Sequence, residues 1–364
     1  MARGGFSLLD GDPLFELQRA AHLVGGRHAV LPRALTLAAI GWLAPLLLTA
    51  ISGRERGALV PLHTRFLVCI PVLLWAERFV DRRVRAAVAG FTERGIVTAA
   101  ALPRFREIVA SAEQQLHSVR AAVAIVAIAF AISAVGSLFG LLPHASALDW
   151  WIAYLSLPLF RIVLLRWLWR WMVWAMLLLR TSRLDLRLEP THPDLAGGLG
   201  FLEHAATSFL SLQVAAGAVL AGRLATNLGG RAADLRVEKQ EIIGFSLIAI
   251  AMTLGPLLPF CRKLVRTERL GKLDYGRLSS RHNQQFADRW LGAPDGAPLG
   301  DPSISSLADL GTSYGSIDRM RPLPIGRRSL AAILVVCLAP ALPALLLHAQ
   351  LQEMLTRVVK TLLF

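Results

Sequence analysis

Apolar residues in this chain gather in blocks, not in stripes. Seven stretches of about 20 residues carry few or no charges: 34–52, 59–80, 119–142, 150–179, 199–226, 241–262 and 330–348. About 20 apolar residues is what an α-helix needs to cross the ~30 Å hydrocarbon core of a bilayer. A soluble amphipathic helix would instead return to an apolar residue every three or four positions. The pattern predicts an all-α integral membrane protein, a helical bundle of about seven transmembrane spans with amphipathic cytoplasmic helices. Gly136 and Gly140, four apart in the third span, allow close helix contact. Pro340 and Pro343 should kink the last span.

The polar segments complete the outline. Residues 10–23 read as a short amphipathic helix at the membrane surface, within a cytoplasmic N-terminal segment 1–33. Between 81 and 117 apolar residues recur at helical spacing, which predicts two amphipathic helices broken near Pro103. Residues 34–262 then hold spans one to six with this insert. Residues 263–328 form a cytoplasmic helical segment: 263–291 prolongs span six, a loop rich in Gly, Pro and Asp follows at 292–302, and a helix lies near 303–320. The last span and a tail occupy 329–364. No repeat relates the two halves, so an inverted-repeat transporter is not indicated.

Charge sets the orientation. The connections 81–117, 180–198 and 263–328 are dense in Arg, whereas 143–149 has neither Lys nor Arg. Basic loops stay on the cytoplasmic side. The N-terminus is therefore expected in the cytoplasm and the C-terminus in the periplasm. Outside connections 53–58 and 227–240 carry some Arg, so the rule is obeyed imperfectly. A six-span reading, with the last block re-entrant, competes.

Composition agrees with this outline. The apolar fraction is 54% and the mean hydropathy +0.51, both high for a soluble chain of 364 residues. A net charge of +14 could suggest nucleic acid, but the cations cluster beside the apolar blocks. The partners expected are the lipid bilayer, a further copy of the chain and a small anion, with no nucleic acid. Lys occurs only at 239, 263, 272 and 360, a bias toward Arg that a GC-rich bacterial genome explains, and the bacterial inner membrane is the expected location. Cys69, Cys261 and Cys337 fall in or beside spans and form no CxxC pair, so neither disulfide nor metal is read from them. The first apolar block follows a charged segment too long for an ordinary signal peptide and should persist as an anchor.

The stretches DPLFELQ at 12–18, THPDLAGGLGFL at 191–202 and LADLGTSYGSIDRMRPLPI at 307–325, with the tail PALPALLLHAQLQEMLTRVVKTLLF at 340–364, resemble an uncharacterised family of bacterial multi-pass inner-membrane proteins. The resemblance spans nearly the whole chain. It departs after Tyr314, where Gly315, Ser316 and Ile317 stand in place of an acidic residue and two aliphatics. It implies the multi-pass architecture and no activity.

Candidate chemistry centres on span four. From Trp150 to Arg180 a helix would extend about 45 Å, more than the hydrocarbon core. With Trp150 and Trp151 at the outer interface, Arg161 lies about 16 Å inward, near the midplane. A buried intramembrane Arg costs at least about 2.5–3.5 kcal/mol and needs a partner or water. No span offers a carboxylate at its depth, and Ser208 and Ser211 come nearest. Two readings stay open: a cation facing an anion-accessible cavity, or one satisfied by carbonyls freed by Pro158. Trp167, Trp169, Trp171 and Trp174 read as an aromatic belt, with Arg166 and Arg170 meeting lipid phosphates.

Glu203 and His204 sit one turn into span five, at the depth of Arg166. An ion pair between Glu203 and Arg166 is expected there, and a Glu–His–Arg proton relay is the sharper alternative. Asp194 suits the N-cap of span five. Gly197, Gly198 and Gly200 permit close helix packing or approach of an anion, without the spacing of a phosphate-binding loop. His192 and His204 are too far apart in sequence to argue for metal. No hydrolase, zinc-protease or Walker pattern occurs, so no cofactor is implied. The function read from these residues is a channel or transporter with an anion-accessible cavity near Arg161. Its rivals are a scaffold or sensor binding a cytoplasmic partner and, third, a membrane-embedded lipid enzyme.

Overall fold

A computed structural model describes residues 6–20, 30–52, 59–140, 146–228, 235–290 and 302–342. The described chain is helical, without a strand, and the bundle is built from α1 (Pro13–Ala20), α2 (Val30–Ile51), α3 (Val60–Glu93), α4 (Leu102–Leu116), α5 (Val119–Leu138), α6 (Ala147–Thr181), α7 (Leu202–Leu224), α8 (Glu238–Arg289), α9 (Pro302–Asp318) and α10 (Arg327–Leu338). Six of these, α2, α3, α5, α6, α7 and α8, are long and apolar enough to cross a membrane. This is an all-α multi-pass membrane protein. The expected seventh span at 330–348 begins as α10, against α7 and α8, and its part beyond residue 342 lies outside the described residues.

Three spans contain a widened π-helical turn, at Ala39–Leu43, Thr64–Cys69 and Ile152–Ser156, each followed within two residues by a proline: Pro45, Pro71 and Pro158. Proline removes one N–H from the ladder and its ring crowds the carbonyl one turn back; a π turn absorbs both. The Ile40 carbonyl in the first of these turns accepts from Trp151 Nε1 at 2.9 Å, tying α2 to α6. Close approach is also set by glycine: a Cβ on Gly41 would lie 1.9 Å from Phe66 Cε1, and one on Gly222 would lie 2.4 Å from Thr64 Cγ2.

The insert differs from expectation. Span two does not end near residue 80: α3 runs unbroken to Glu93, because Val80, Val84, Ala87, Val88 and Phe91 keep one face buried. The break falls at 94–101, opened by Gly95 at φ +65°, while Pro103 sits harmlessly in the first turn of α4. The N-terminal segment does more than lie on a surface. Phe6, Leu8 and Leu9 are buried, and Asp81 accepts from the Ser7 hydroxyl at 2.9 Å and the Leu8 N–H at 2.6 Å.

Span four corrects the aromatic belt. Trp167 and Trp174 are 1% and 0% exposed and belong to the core, and Trp171 Nε1 donates to the Met252 carbonyl at 2.8 Å. Of the tryptophans in span four, Trp150 and Trp151, at the start of α6, remain exposed. Ser146 caps that helix, accepting from Asp149 N–H and donating to its carboxylate.

At one end of the bundle three connections meet. The segment 94–101 pairs with 182–201 through the Arg187 N–H and the Ile96 carbonyl at 2.8 Å. The segment 319–326 joins them through the Arg321 N–H and the Leu195 carbonyl at 2.7 Å. These are the Arg-rich connections, brought to a common side as their alternation with the spans requires. The distal part of α8 projects beyond them and pairs with α9, Lys272 bridging Glu268 and Asp318 at 3.0 Å each.

Candidate functional site

Buried charges link α1, α2, α3 and α6. Arg33 Nη1 on α2 donates to Glu77 Oε2 on α3 at 2.7 Å, and Arg170 Nη1 on α6 donates to Glu77 Oε1 at 3.0 Å. Arg166 and Arg170 each donate an Nη2 hydrogen to Asp12 Oδ2 at 2.8 Å. Asp12 also caps α1, its Oδ1 accepting from the Phe15 N–H at 3.3 Å. Burial alone would raise the Asp12 pKa; the Arg166 and Arg170 charges and their hydrogen bonds outweigh it and hold the carboxyl below its usual range. This assembly is a clamp of fixed charges.

The clamp overturns two expectations. Arg166 does not pair with Glu203, and neither Arg166 nor Arg170 reaches out to lipid phosphate, their side chains being 5% and 3% exposed. Without Arg166 the proposed Glu–His–Arg relay is not assembled. Glu203 instead accepts a short hydrogen bond from Ser329 on α10.

Arg161 is satisfied across a helix contact. Its Nη1 donates to Ser133 Oγ at 2.5 Å and reaches the Ala129 carbonyl at 3.5 Å, both on α5. Ser208 and Ser211 bond carbonyls of their own helix. Arg65 of α3 lies over the Phe160 ring at 5.8 Å, close enough for the Arg161 charge to act on it.

Where the three connections meet, the THPDLAGGLG segment folds around Asp194. Its Oδ1 accepts from the N–H groups of Ala196 at 2.8 Å and Gly198 at 3.1 Å, and its Oδ2 from that of Gly200 at 2.7 Å. The left-handed backbone of Leu195, Gly197 and Gly198 aims those N–H groups inward. Asp194 is thus the hub of a loop and not the expected N-cap: α7 begins at Leu202, several residues later. Burial raises its pKa, but the bonds from Ala196, Gly200 and Gly198, and His192 beside it, outweigh burial and hold it below the usual carboxylate value. Arg321 Nη2 donates to the Asp194 carbonyl at 2.6 Å, so the stretches 191–202 and 307–325 are physically joined.

Against this loop lies a cleft of about 620 Å³, walled by Arg83 and Ala87 of α3, Arg94, Phe201, Glu203, His204 and Arg321. The two carboxylates at its edge are engaged, Asp194 by backbone N–H groups and Glu203 by Ser329. The arginines are held differently. Arg83 stacks 4.5 Å over Phe79, Arg94 stacks 5.0 Å over Phe201, and the Arg321 Nε is buried without a partner. A smaller depression of about 300 Å³ adjoins it, lined by Arg94, Arg187, Glu189, His192 and Gly198.

The structure therefore brings Asp194, Glu203 and His204 to one cleft, sets His192 in the neighbouring depression, and leaves Arg161 and Arg166 elsewhere. No cluster of three metal-ligating side chains occurs among the described residues. Arg83, Arg94 and Arg321 escaped the sequence reading, although Arg94 and Arg321 stand where helices end and loops begin. Comparison with known proteins returns no match to a protein-family model, a curated protein or a solved structure.

Proposed function

We propose that this protein recognises an anion at the membrane surface, in the cleft formed by Arg83, Arg94, Arg321 and His204. One observation carries the reading: three arginines, two at the end of α3 and one from the 319–326 connection, face a common space in which both carboxylates are already engaged. A guanidinium stacked on an aromatic face keeps its in-plane N–H groups for a phosphate or carboxylate. The Arg-rich connections at this end favour a cytoplasmic location for the cleft and the N-terminus, in a bacterial inner membrane. Purified protein titrated with inorganic phosphate at constant ionic strength tests the reading. Wild type should gain thermal stability and Arg83→Gln/Arg94→Gln should not. A wild type indifferent to every anion offered would overturn it.

Transport of the bound anion is a second reading, favoured by Arg65 and Arg161, two neighbouring cations within the spans. Because Arg161 already has Ser133 and a carbonyl, a cavity beside it is a weaker support than the cleft. Anion flux in liposomes, lost in Arg161→Gln, would establish this reading; binding without flux would leave a sensor or scaffold.

A further inference from the structure

We infer that the anion of this cleft is the phosphate of a membrane phospholipid, its acyl chains lying along the Trp75–Phe79 face of α3. The inference rests on the anion reading above and deepens it.

Depth is the first argument. Arg83 stands 23 residues beyond Val60, about 35 Å along the helix, just past a hydrocarbon core of about 30 Å. Glu203 and His204 are in the first turn of α7, so the opposite wall lies at the same interface. The cleft is level with lipid headgroups. Its volume of about 620 Å³ falls within the ~300–1,000 Å³ typical of sites for organic ligands.

The second argument is the wall leading into it. Trp75, Phe79 and Arg83 follow one another at four-residue intervals on one face of α3. Trp75 stacks on Phe79 with centroids 5.9 Å apart, and Arg83 covers Phe79 at 4.5 Å. Trp75 is 64% exposed, while its neighbours Leu73, Leu74 and Ala76 are buried. A continuous surface thus runs from an apolar, lipid-facing ring to a cation whose N–H edges are uncommitted. That is the order of an amphiphile, chain first and phosphate last. A soluble anion would have no use for the aromatic half.

Short-chain phosphatidylglycerol and glycerol phosphate, the same headgroup without chains, separate the two sources. Both are titrated into the purified full chain in detergent, with thermal stability as the readout. Phosphatidylglycerol should bind at least tenfold more tightly than glycerol phosphate. Arg83→Gln/Arg94→Gln should weaken both about tenfold, and Trp75→Ala should weaken only the lipid. Melting without ligand checks that the variants fold. Equal affinity for lipid and headgroup would overturn the lipid inference while leaving the anion reading intact. Lipid binding untouched by the arginine changes would place the lipid elsewhere and also overturn the inference. No response to either compound, or to inorganic phosphate, would sink both.

Discussion

Asp12 and Arg166 are 154 positions apart, yet the carboxylate of the first accepts a hydrogen bond of 2.8 Å from the guanidinium of the second, both largely shielded from solvent. Removing one member of such a buried pair strands the other in a medium of low dielectric constant. Asp12→Asn preserves the acceptor that caps α1 and deletes only the charge. It should cost on the order of 3–5 kcal/mol, and adding Arg166→Met should restore part of that. A double-mutant cycle of unfolding in detergent reads this coupling; additive effects would show that the pair contributes no mutual stabilisation.

The Asp194 loop gives a pH-dependent expectation. Its folded pKa is lowered from 3.8, so the stability it supplies is present above that value and lost as the pH falls through the lower folded value. Asp194→Asn should remove about 1.5–3 kcal/mol near neutrality, and the gap from wild type should close below about pH 4. Unfolding measured across that range decides; a gap that persisted at the acid end would assign the effect to packing.

Reporter fusions after residues 110 and 290 should indicate the cytoplasm and one after residue 146 the periplasm. The meeting of 94–101, 182–201 and 319–326 at one end supplies the reason. Reporters at 110 and 146 on the same side would refute the orientation.

Gly41 packs directly on Phe66. Gly41→Ala should destabilise the α2–α3 contact by about 1–3 kcal/mol through overpacking, and Phe66→Leu should recover part of the loss. Thermal melts of the single and double variants test this; a neutral Gly41→Ala would mean that the two helices separate without cost.

The spans were legible because the bilayer demands a long apolar run, and that demand is local in sequence. The charge partners were not, because Asp12, Glu77 and Arg170 meet only after three elements have packed. Glu203 and Arg166 matched in depth, but depth fixes one coordinate and the helix face another. The face of α6 was in fact readable: Val163, Arg166, Trp167, Arg170, Val173, Trp174 and Leu177 recur at helical spacing and are all buried. Tryptophan content drew attention to an interface, while periodicity pointed to the core. The cleft arginines were illegible for a simpler reason. Arg83 and Arg94 stand at the end of α3, eleven positions apart, but Arg321 is far along the chain, and only the joined loops bring it beside them.

The Asp12 clamp also has a consequence in time. The chain emerges from the ribosome N-terminus first, at roughly 5–20 residues per second. Arg166 follows Asp12 by 154 positions, a delay on the order of 10–30 s. During that interval three helices must enter the bilayer while the leading segment waits on the side where α6 will end. A nascent chain whose leading segment strayed across would leave Arg166 and Arg170 without their acid. The clamp can therefore close only once the fourth span, which carries Arg166 and Arg170, has been made.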